Sequence, residues 1–323
     1  MLRKTCLVVA MLLAAPAWAQ MEAAPDQVLV VGQRPGPGLW KISKGDHVLW
    51  VFGSYAPLPV NMQWRSQQVE AILGRSQLYL APPSAGVGVG LWGGMNLLPH
   101  LIGMRKNPGG AMLRDMVAPD IYARWRVLKA KYGVGDEVES ERAIFAAQTL
   151  YHAGMKQVGL SNGDDVPKAI NQLVKKNKIK VMRSHVVLEM ADPVNTLKQF
   201  KAGSMDDAAC FATTIARLET DIDAMRVRAN AWTKGDLELI RTLNFADREG
   251  ACKSAMESSA AIKNGMGLEG TEQRMRELWL EAAEHALATH ATSFAMLKLH
   301  DILKSDSLIA ALQAKGYTVH SPD

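Results

Sequence analysis

The segment His47–Phe52 constrains the fold most, because both of its alternating faces carry mainly apolar side chains. Such a strand is typical of a central position covered on both sides rather than of a half-exposed antiparallel position. Gly53-Ser54 ends it. An amphipathic helix is predicted from Arg65 to Leu73, and Leu78-Tyr79-Leu80 then returns as a short apolar strand. The segment therefore predicts a strand–helix–strand unit in an α/β fold, with a mainly parallel central sheet flanked by helices.

Further helices are predicted at residues 118–131, 139–155 and 164–175, before a strand at 179–182. Ser204 then caps a long helix whose apolar residues are spaced alternately by four and three. These seam residues are Phe211, Ile215, Leu218, Ile222, Met225, Ala229 and Trp232. The seam suits either a dimer contact or a helix facing the core of the same chain, and we favour the second. A large helical insertion is therefore predicted at about 118–290.

The first residues have the pattern of a secretory signal peptide. Arg3-Lys4 form a charged start, residues 7–15 an apolar run, and Ala17-Trp18-Ala19 a cleavage site. Residues 20–37 are predicted to be a leader with a short strand at Gln27–Gly32. We therefore expect a periplasmic or secreted protein, cleaved near Ala19. Removal of two cations lowers the formal charge from +5 to +3.

Two cysteines remain after cleavage, Cys210 and Cys252. In an oxidising compartment two thiols more often pair than stay free, so a disulfide between them is predicted. No Cys/His grouping has the spacing of a zinc site.

The stretch from Pro82 to Gly94 is rich in glycine but matches neither a phosphate-binding loop nor a dinucleotide-binding fingerprint. No lysine lies in it, and no helix is expected to start within it. We therefore predict no nucleotide cofactor and interpret the stretch as a flexible or packing loop. A lid with Trp92 at its tip is the functional alternative.

Several segments resemble the TraB/GumN (TIKI-like) family. Gly53-Ser54-Tyr55-Ala56, followed by Leu58-Pro59, resembles the family's Gly-Ser-x-His and Leu-Pro. The residues from Arg228 to Leu237 resemble its helical midsection, and Thr292–His300 takes the place of its second Gly-x-x-His strand end. The resemblance covers residues 38–319. It implies a fold like that of the ChaN and erythromycin-esterase proteins.

The family's enzymes hold a divalent metal with two histidines and a carboxylate at the strand ends. The resemblance implies that Ala56 replaces one histidine and Ala81 the carboxylate, while His300 remains. A catalytic metal site needs about three protein ligands and an open position for water. We therefore predict no metal site and no cofactor.

Three polar residues remain as candidates for chemistry: His300, Glu189 and Arg274. Glu189 is expected to face His300 across the sheet. Arg274 matches the arginine of a family Arg-Asn pair, and would hold Glu189 or an anionic ligand. A Ser54, His300 and Asp301 triad is disfavoured, because neighbours on an extended segment point to opposite sides.

We therefore expect a non-catalytic protein with a binding or regulatory role in the cell envelope, connected with polysaccharide through the family's association or with a protein partner. The alternative is a hydrolase with a rearranged site around His300, Glu189 and Arg274. Nucleic acid is not expected as a partner, because the basic run Lys175–Lys180 lacks interleaved aromatic residues. No stretch after the signal is long enough to span a membrane.

Overall fold

The computed structural model describes residues 36–88, 91–161, 163–242 and 248–322. The predicted signal peptide and the strand at Gln27–Gly32 lie outside these residues. Ten strands occur in the part described: β1 Leu39–Lys44, β2 His47–Ser54, β3 Leu58–Pro59, β4 Leu78–Leu80, β5 Ser84–Val87, β6 Leu160–Ser161, β7 Lys180–Met182, β8 His185–Leu188, β9 Thr292–Lys298 and β10 Thr318–His320.

Fifteen α-helices occur in the same residues, together with two 3-10 turns at Pro108–Gly110 and Asp136–Ser140. The helices are α1 Gln67–Arg75, α2 Leu91–Leu101, α3 Leu113–Met116, α4 Pro119–Lys131, α5 Ala143–Gln157, α6 Asp165–Lys176, α7 Pro193–Ala202, α8 Ala208–Thr220, α9 Ile222–Lys234, α10 Leu237–Thr242, α11 Arg248–Ser258, α12 Ala260–Gly265, α13 Thr271–Thr289, α14 Leu299–Ile302 and α15 Leu308–Ala314. Between residues 118 and 290 helices predominate, and β6, β7 and β8 lie among them.

The central sheet has six strands in the order β10-β1-β2-β9-β4-β7. The pairs β2–β9, β9–β4 and β4–β7 are parallel, whereas β1 pairs antiparallel with β2 and β10. β2 therefore lies inside the sheet, as its two apolar faces predicted. The predicted α/β fold with a mainly parallel sheet is confirmed.

Helices cover the central sheet and complete the main core. Val69, Ile72 and Leu73 bury the apolar stripe of α1. Phe52 of β2 packs against Trp64, Trp232 and Phe294, with ring centroids 5.6 to 6.3 Å apart. Burial of large apolar side chains is the main source of stability here, at about 25 cal/mol per Å² of apolar surface.

A second core lies among α4, α5, α8 and α9, where Trp125, Leu150, Phe211 and Met225 are buried together. Beside it, Cys210 of α8 and Cys252 of α11 form a disulfide with their Cα atoms 4.5 Å apart. The predicted pairing of these cysteines is therefore present in the structure.

The structure differs from the sequence prediction in several elements. The helix predicted at 139–155 begins only at Ala143, and the helix predicted to start at Ser204 begins after Asp207. The seam residues lie on two helices, α8 and α9, because the chain turns at Asp221 (φ −104°, ψ −1°). Thr220 contributes to this break locally, since its single hydroxyl proton has two acceptors in reach, the Ala216 carbonyl at 2.9 Å and Asp221 Oδ1 at 3.2 Å. The glycine-rich stretch contains β5 and the first residues of α2, although no helix was expected to start there.

Candidate functional site

The carboxyl ends of the parallel strands lie at one edge of the central sheet. Ser54 at the end of β2 pairs with Lys298 at the end of β9, while Leu80 of β4 pairs with Ala295 and Met182. In open parallel sheets, ligands bind outside this edge. The residues that follow these strands therefore define the candidate site.

The end of β2 is held by hydrogen bonds to neighbouring elements. Trp232 Nε1 of α9 donates to the Gly53 carbonyl at 2.7 Å, and Ser54 Oγ donates to the Leu297 carbonyl at 3.1 Å. A Cβ atom at Gly53 would lie 3.0 Å from the side chains of Trp40 and Leu299. Only glycine therefore fits at this position without a displacement of those two side chains. The Ser54 hydroxyl is thus engaged by backbone rather than by a histidine.

Ala56 and Ala81 follow β2 and β4 at this edge. Gly163 (φ +79°) lies against the Ala56 methyl, because a Cβ added to it would come within 2.5 Å of the Ala56 Cβ. The Ala81 amide donates to the Met182 carbonyl at 3.0 Å. Both side chains are methyl groups and have no atom that could bind a cation.

Beside Ala56, five residues form what we call the arginine–tyrosine cluster: Tyr55 after β2, Tyr151 of α5, Arg217 of α8, Arg228 of α9 and Arg248 of α11. Arg228 donates a hydrogen bond to the Tyr55 hydroxyl. The guanidinium carbons of Arg248 and Arg217 lie 4.2 and 5.9 Å from the centroid of the Tyr151 ring. Three cations from three helices are therefore grouped around two phenols.

The cluster is largely withdrawn from solvent. Arg228 is 0% exposed and Arg217 7% exposed, while Tyr55 and Arg248 are half-buried. Burial raises the pKa of Tyr55, although Arg228 and Arg217 oppose this, so Tyr55 keeps its proton at neutral pH. Burial lowers the pKa of Arg248, with Tyr151 and the Glu249 carboxylate opposing the shift and Arg217 adding to it. The site therefore offers positive charge and a phenol donor at low solvent exposure.

Arg248 is held in place by the disulfide-linked helix pair. Its Nε donates to Thr214 Oγ1 at 3.1 Å, and Thr214 in turn donates to the Cys210 carbonyl at 2.8 Å. Cys252 stands one helical turn beyond Arg248 and is bonded to Cys210. The disulfide and the hydrogen bond together fix α11 against α8.

The three sequence candidates lie on different elements. His300 is exposed in α14, directly after β9, and Glu189 is exposed after β8. The segment of His300 and Asp301 is helical rather than extended, because Leu299 and Ile302 bury one side of a short turn. Glu189 does not lie across the central sheet from His300, since β8 pairs with β5 in a separate sheet.

Arg274 is exposed near the start of α13 and binds its own loop. It donates to the carbonyls of Glu269 and Gly267 and to Thr271 Oγ1, at 2.8, 3.3 and 3.0 Å. These bonds place its guanidinium over the turn before α13, as a local brace for that turn.

A model of the TraB/PrgY/gumN family matches residues 38–321. The chain belongs to the TraB/PrgY/gumN family. No curated protein and no solved structure matches it.

The metal implied for enzymes of the TraB/PrgY/gumN family does not fit the residues present here. Ala56 and Ala81 supply no ligand atom, which leaves His300 alone of the three positions. Within the described ranges, no group of three His, Cys, Asp or Glu side chains is arranged to hold a metal ion. One imidazole cannot fix an ion or orient its water, so we derive no metal-dependent step.

Sequence reasoning about this TraB/PrgY/gumN protein missed the arginine–tyrosine cluster. A signal for it existed, because Arg217 and Arg228 each directly precede a seam residue, Leu218 and Ala229. An arginine next to buried seam residues is expected to lose contact with water. Burying its charge costs free energy unless the guanidinium is paired or hydrogen-bonded. Arg248 gave no such signal, since only the folded α11 brings it to Tyr151.

Proposed function

We propose that this TraB/PrgY/gumN family member is non-catalytic and has a binding or regulatory role in the cell envelope. The observation that carries the proposal is the pair of methyl side chains, Ala56 and Ala81, where the resemblance expects metal ligands. Without those ligands no side chain after β2 or β4 can activate a water molecule at this edge. The arginine–tyrosine cluster beside Ala56 suits recognition rather than hydrolysis.

Two features support a location in the cell envelope. The N-terminal pattern of charged start, apolar run and Ala17-Trp18-Ala19 favours a signal peptide, and the Cys210–Cys252 disulfide suits an oxidising compartment. None of the helices in the described part of the chain has the length and hydropathy of a membrane span. The intact mass of the protein taken from cells should correspond to a chain that begins at Gln20.

The alternative hydrolase, with a rearranged site around His300, Glu189 and Arg274, has weaker support. The hydrogen bonds of Arg274 go to the loop before α13. A general acid or base must reach the reacting group within hydrogen-bond distance, and His300 and Glu189 follow strands of two different sheets.

Metal binding provides the test of the non-catalytic proposal. Protein purified without chelator should contain far less than one equivalent of zinc, manganese or cobalt, and adding these ions should not raise its melting temperature. His300→Ala should behave like the parent in both measurements. The control is His320→Ala, which removes an exposed histidine of β10.

Two results would reverse this conclusion. One is near-stoichiometric metal, or metal-induced stabilisation lost in His300→Ala but kept in His320→Ala. The other is hydrolysis of peptide or ester substrates that His300→Ala abolishes, which would favour the rearranged site.

A further inference from the structure

We propose that a cavity beside the antiparallel edge of the central sheet binds a small ligand in which a carboxylate is attached to a ring. Lys41 would hold the carboxylate, and Trp50 would contact the ring. The inference deepens the binding role proposed above and rests on it. It assigns a site and a ligand class to that role.

The cavity has a volume of about 300 Å³. It is lined by residues of β1, β2 and β10, together with the chain before β1, Gln68 of α1 and Gly235 after α9. Pockets that bind small molecules begin at about this volume. The cavity is therefore large enough for one ring with its substituents.

The register of the strands places three side chains of the cavity in one row. Lys41 of β1 pairs with His320 of β10 on one side and with Trp50 of β2 on the other. Residues directly opposite each other on neighbouring strands project from the same face of a sheet, with their Cβ atoms about 5 Å apart. All three residues line the cavity. An ammonium group and an indole are therefore presented side by side.

The polar groups of this row are not engaged by the fold. Within the described ranges, the side chains of Lys41, Trp50 and His320 make no hydrogen bond and no ion pair. Among the described residues that line the cavity there is no Asp or Glu. Lys41 is half-buried and so has lost part of its hydration. A carboxylate in the cavity would replace that hydration with a charge-assisted hydrogen bond.

The remaining lining suits the ring of such a ligand. Trp50 is half-buried, and the buried Leu39 adds apolar surface beside it. A ring that covers this surface removes apolar area from water. Gln68 and Ser321 are exposed, and their side chains also lack hydrogen bonds within the described residues. They leave the cavity open to solvent and can bind polar groups of the ring.

The experiment is isothermal calorimetry of the protein with two ring carboxylates, galacturonate and phenylacetate. Galactose and phenylacetamide are their neutral counterparts. Saturable binding of at least one carboxylate is expected, at least about tenfold tighter than its neutral counterpart, the usual effect of one charge-assisted hydrogen bond. The stronger carboxylate identifies the ligand as a sugar acid or an aromatic acid.

Two lysine variants assign the binding to the cavity. Lys41→Met keeps most of the aliphatic stem and should weaken carboxylate binding at least about tenfold. Lys44→Met is the matched control, because Lys44 is exposed on the same strand and projects from the opposite face. Its affinity should stay within about twofold of wild type. If Lys41→Met does not fold, Lys41→Gln provides the same loss of charge.

The proposal is overturned if neither carboxylate binds the wild-type protein up to about 10 mM. It is equally overturned if the neutral counterparts bind as tightly as the carboxylates, or if folded Lys41→Met or Lys41→Gln binds as tightly as wild type. None of these results bears on the non-catalytic proposal, which fails instead on metal content or hydrolysis.

Discussion

Glu139, in the turn Asp136–Ser140, joins this turn to α4 through three hydrogen bonds to its carboxylate. It accepts hydrogen bonds from Lys129 at 2.6 Å, from Tyr122 at 3.0 Å and from Trp125 at 3.2 Å, all on α4. Its side chain is 12% exposed. These bonds tie the turn to α4 and satisfy the indole of the buried Trp125.

Glu139 should make the fold sensitive to acid. Burial raises the pKa of Glu139, but the hydrogen bonds from Lys129, Trp125 and Tyr122 outweigh burial and lower it. A carboxyl group with a lowered folded pKa stabilises the fold above its unfolded pKa, and that contribution is lost as the pH falls through the folded value. We expect the loss to begin below about pH 5.

Glu139→Gln should lower the free energy of unfolding at neutral pH by about 1–3 kcal/mol and remove this part of the acid sensitivity. Urea unfolding between pH 3 and pH 7 measures both effects. Glu137→Gln is the control, because Glu137 is exposed in the same turn. Parallel stability curves for Glu139→Gln and wild type would show that Glu139 has no such role.

Sequence patterns were sufficient to predict those helices and strands whose residue types are dictated by burial. The continuous apolar run of β2 required two covered faces, and the stripe Val69, Ile72, Leu73 fixed the inner face of α1. The break at Asp221 could not be predicted in this way, because α8 and α9 both keep the seam spacing on either side of it. β5 could not be predicted either, because Ser84–Val87 is a short, largely exposed strand whose pairing with β8 is set by distant residues.

The candidate site was less predictable than the fold. Motif positions located Ala56 and Ala81 at the carboxyl edge, because the positions of strand ends follow from local patterns. The partners of Tyr55 come from helices far away in sequence, so their assembly depends on tertiary packing rather than on any local pattern. The same holds for Arg274, whose local hydrogen bonds no spacing rule would have predicted.

The helix pair α8 and α11 depends on its covalent link. Replacing both cysteines, Cys210→Ala with Cys252→Ala, should lower the free energy of unfolding by about 4 kcal/mol, as expected for a loop of 42 residues. Guanidinium unfolding of the double variant measures the loss, and reduced wild type should unfold at a similar concentration. If oxidised wild type and the double variant have the same midpoint, the link contributes nothing to stability.

The fold of the whole molecule depends most on the pairing of β2 with β9. This pairing joins residues that are far apart in the sequence, since Val48 pairs with Thr292. A chain ending after Thr289 lacks the strand that joins β2 to β4, and we expect it not to fold. A chain ending after Gly316 loses only the edge strand β10, whose residues are half-buried or exposed, and should fold with reduced stability. Circular dichroism and cooperative melting distinguish the two, and a folded shorter chain would contradict the central role of β9.

The two ends of the described domain meet beside the antiparallel edge of the sheet, where a Cβ added to Gly38 would lie 3.0 Å from the Pro322 ring. A short linker could therefore join residue 322 to residue 38, with new ends opened at the exposed pair Gly109-Gly110. In such a circular permutant β9 would be followed closely by β10, β1 and β2, so the longest-range pairing of the sheet would become a local one. Folding rates rise as contacts become more local. The permutant should reach the same sheet faster, because the order of the strands in the chain, rather than their arrangement in space, delays the native fold.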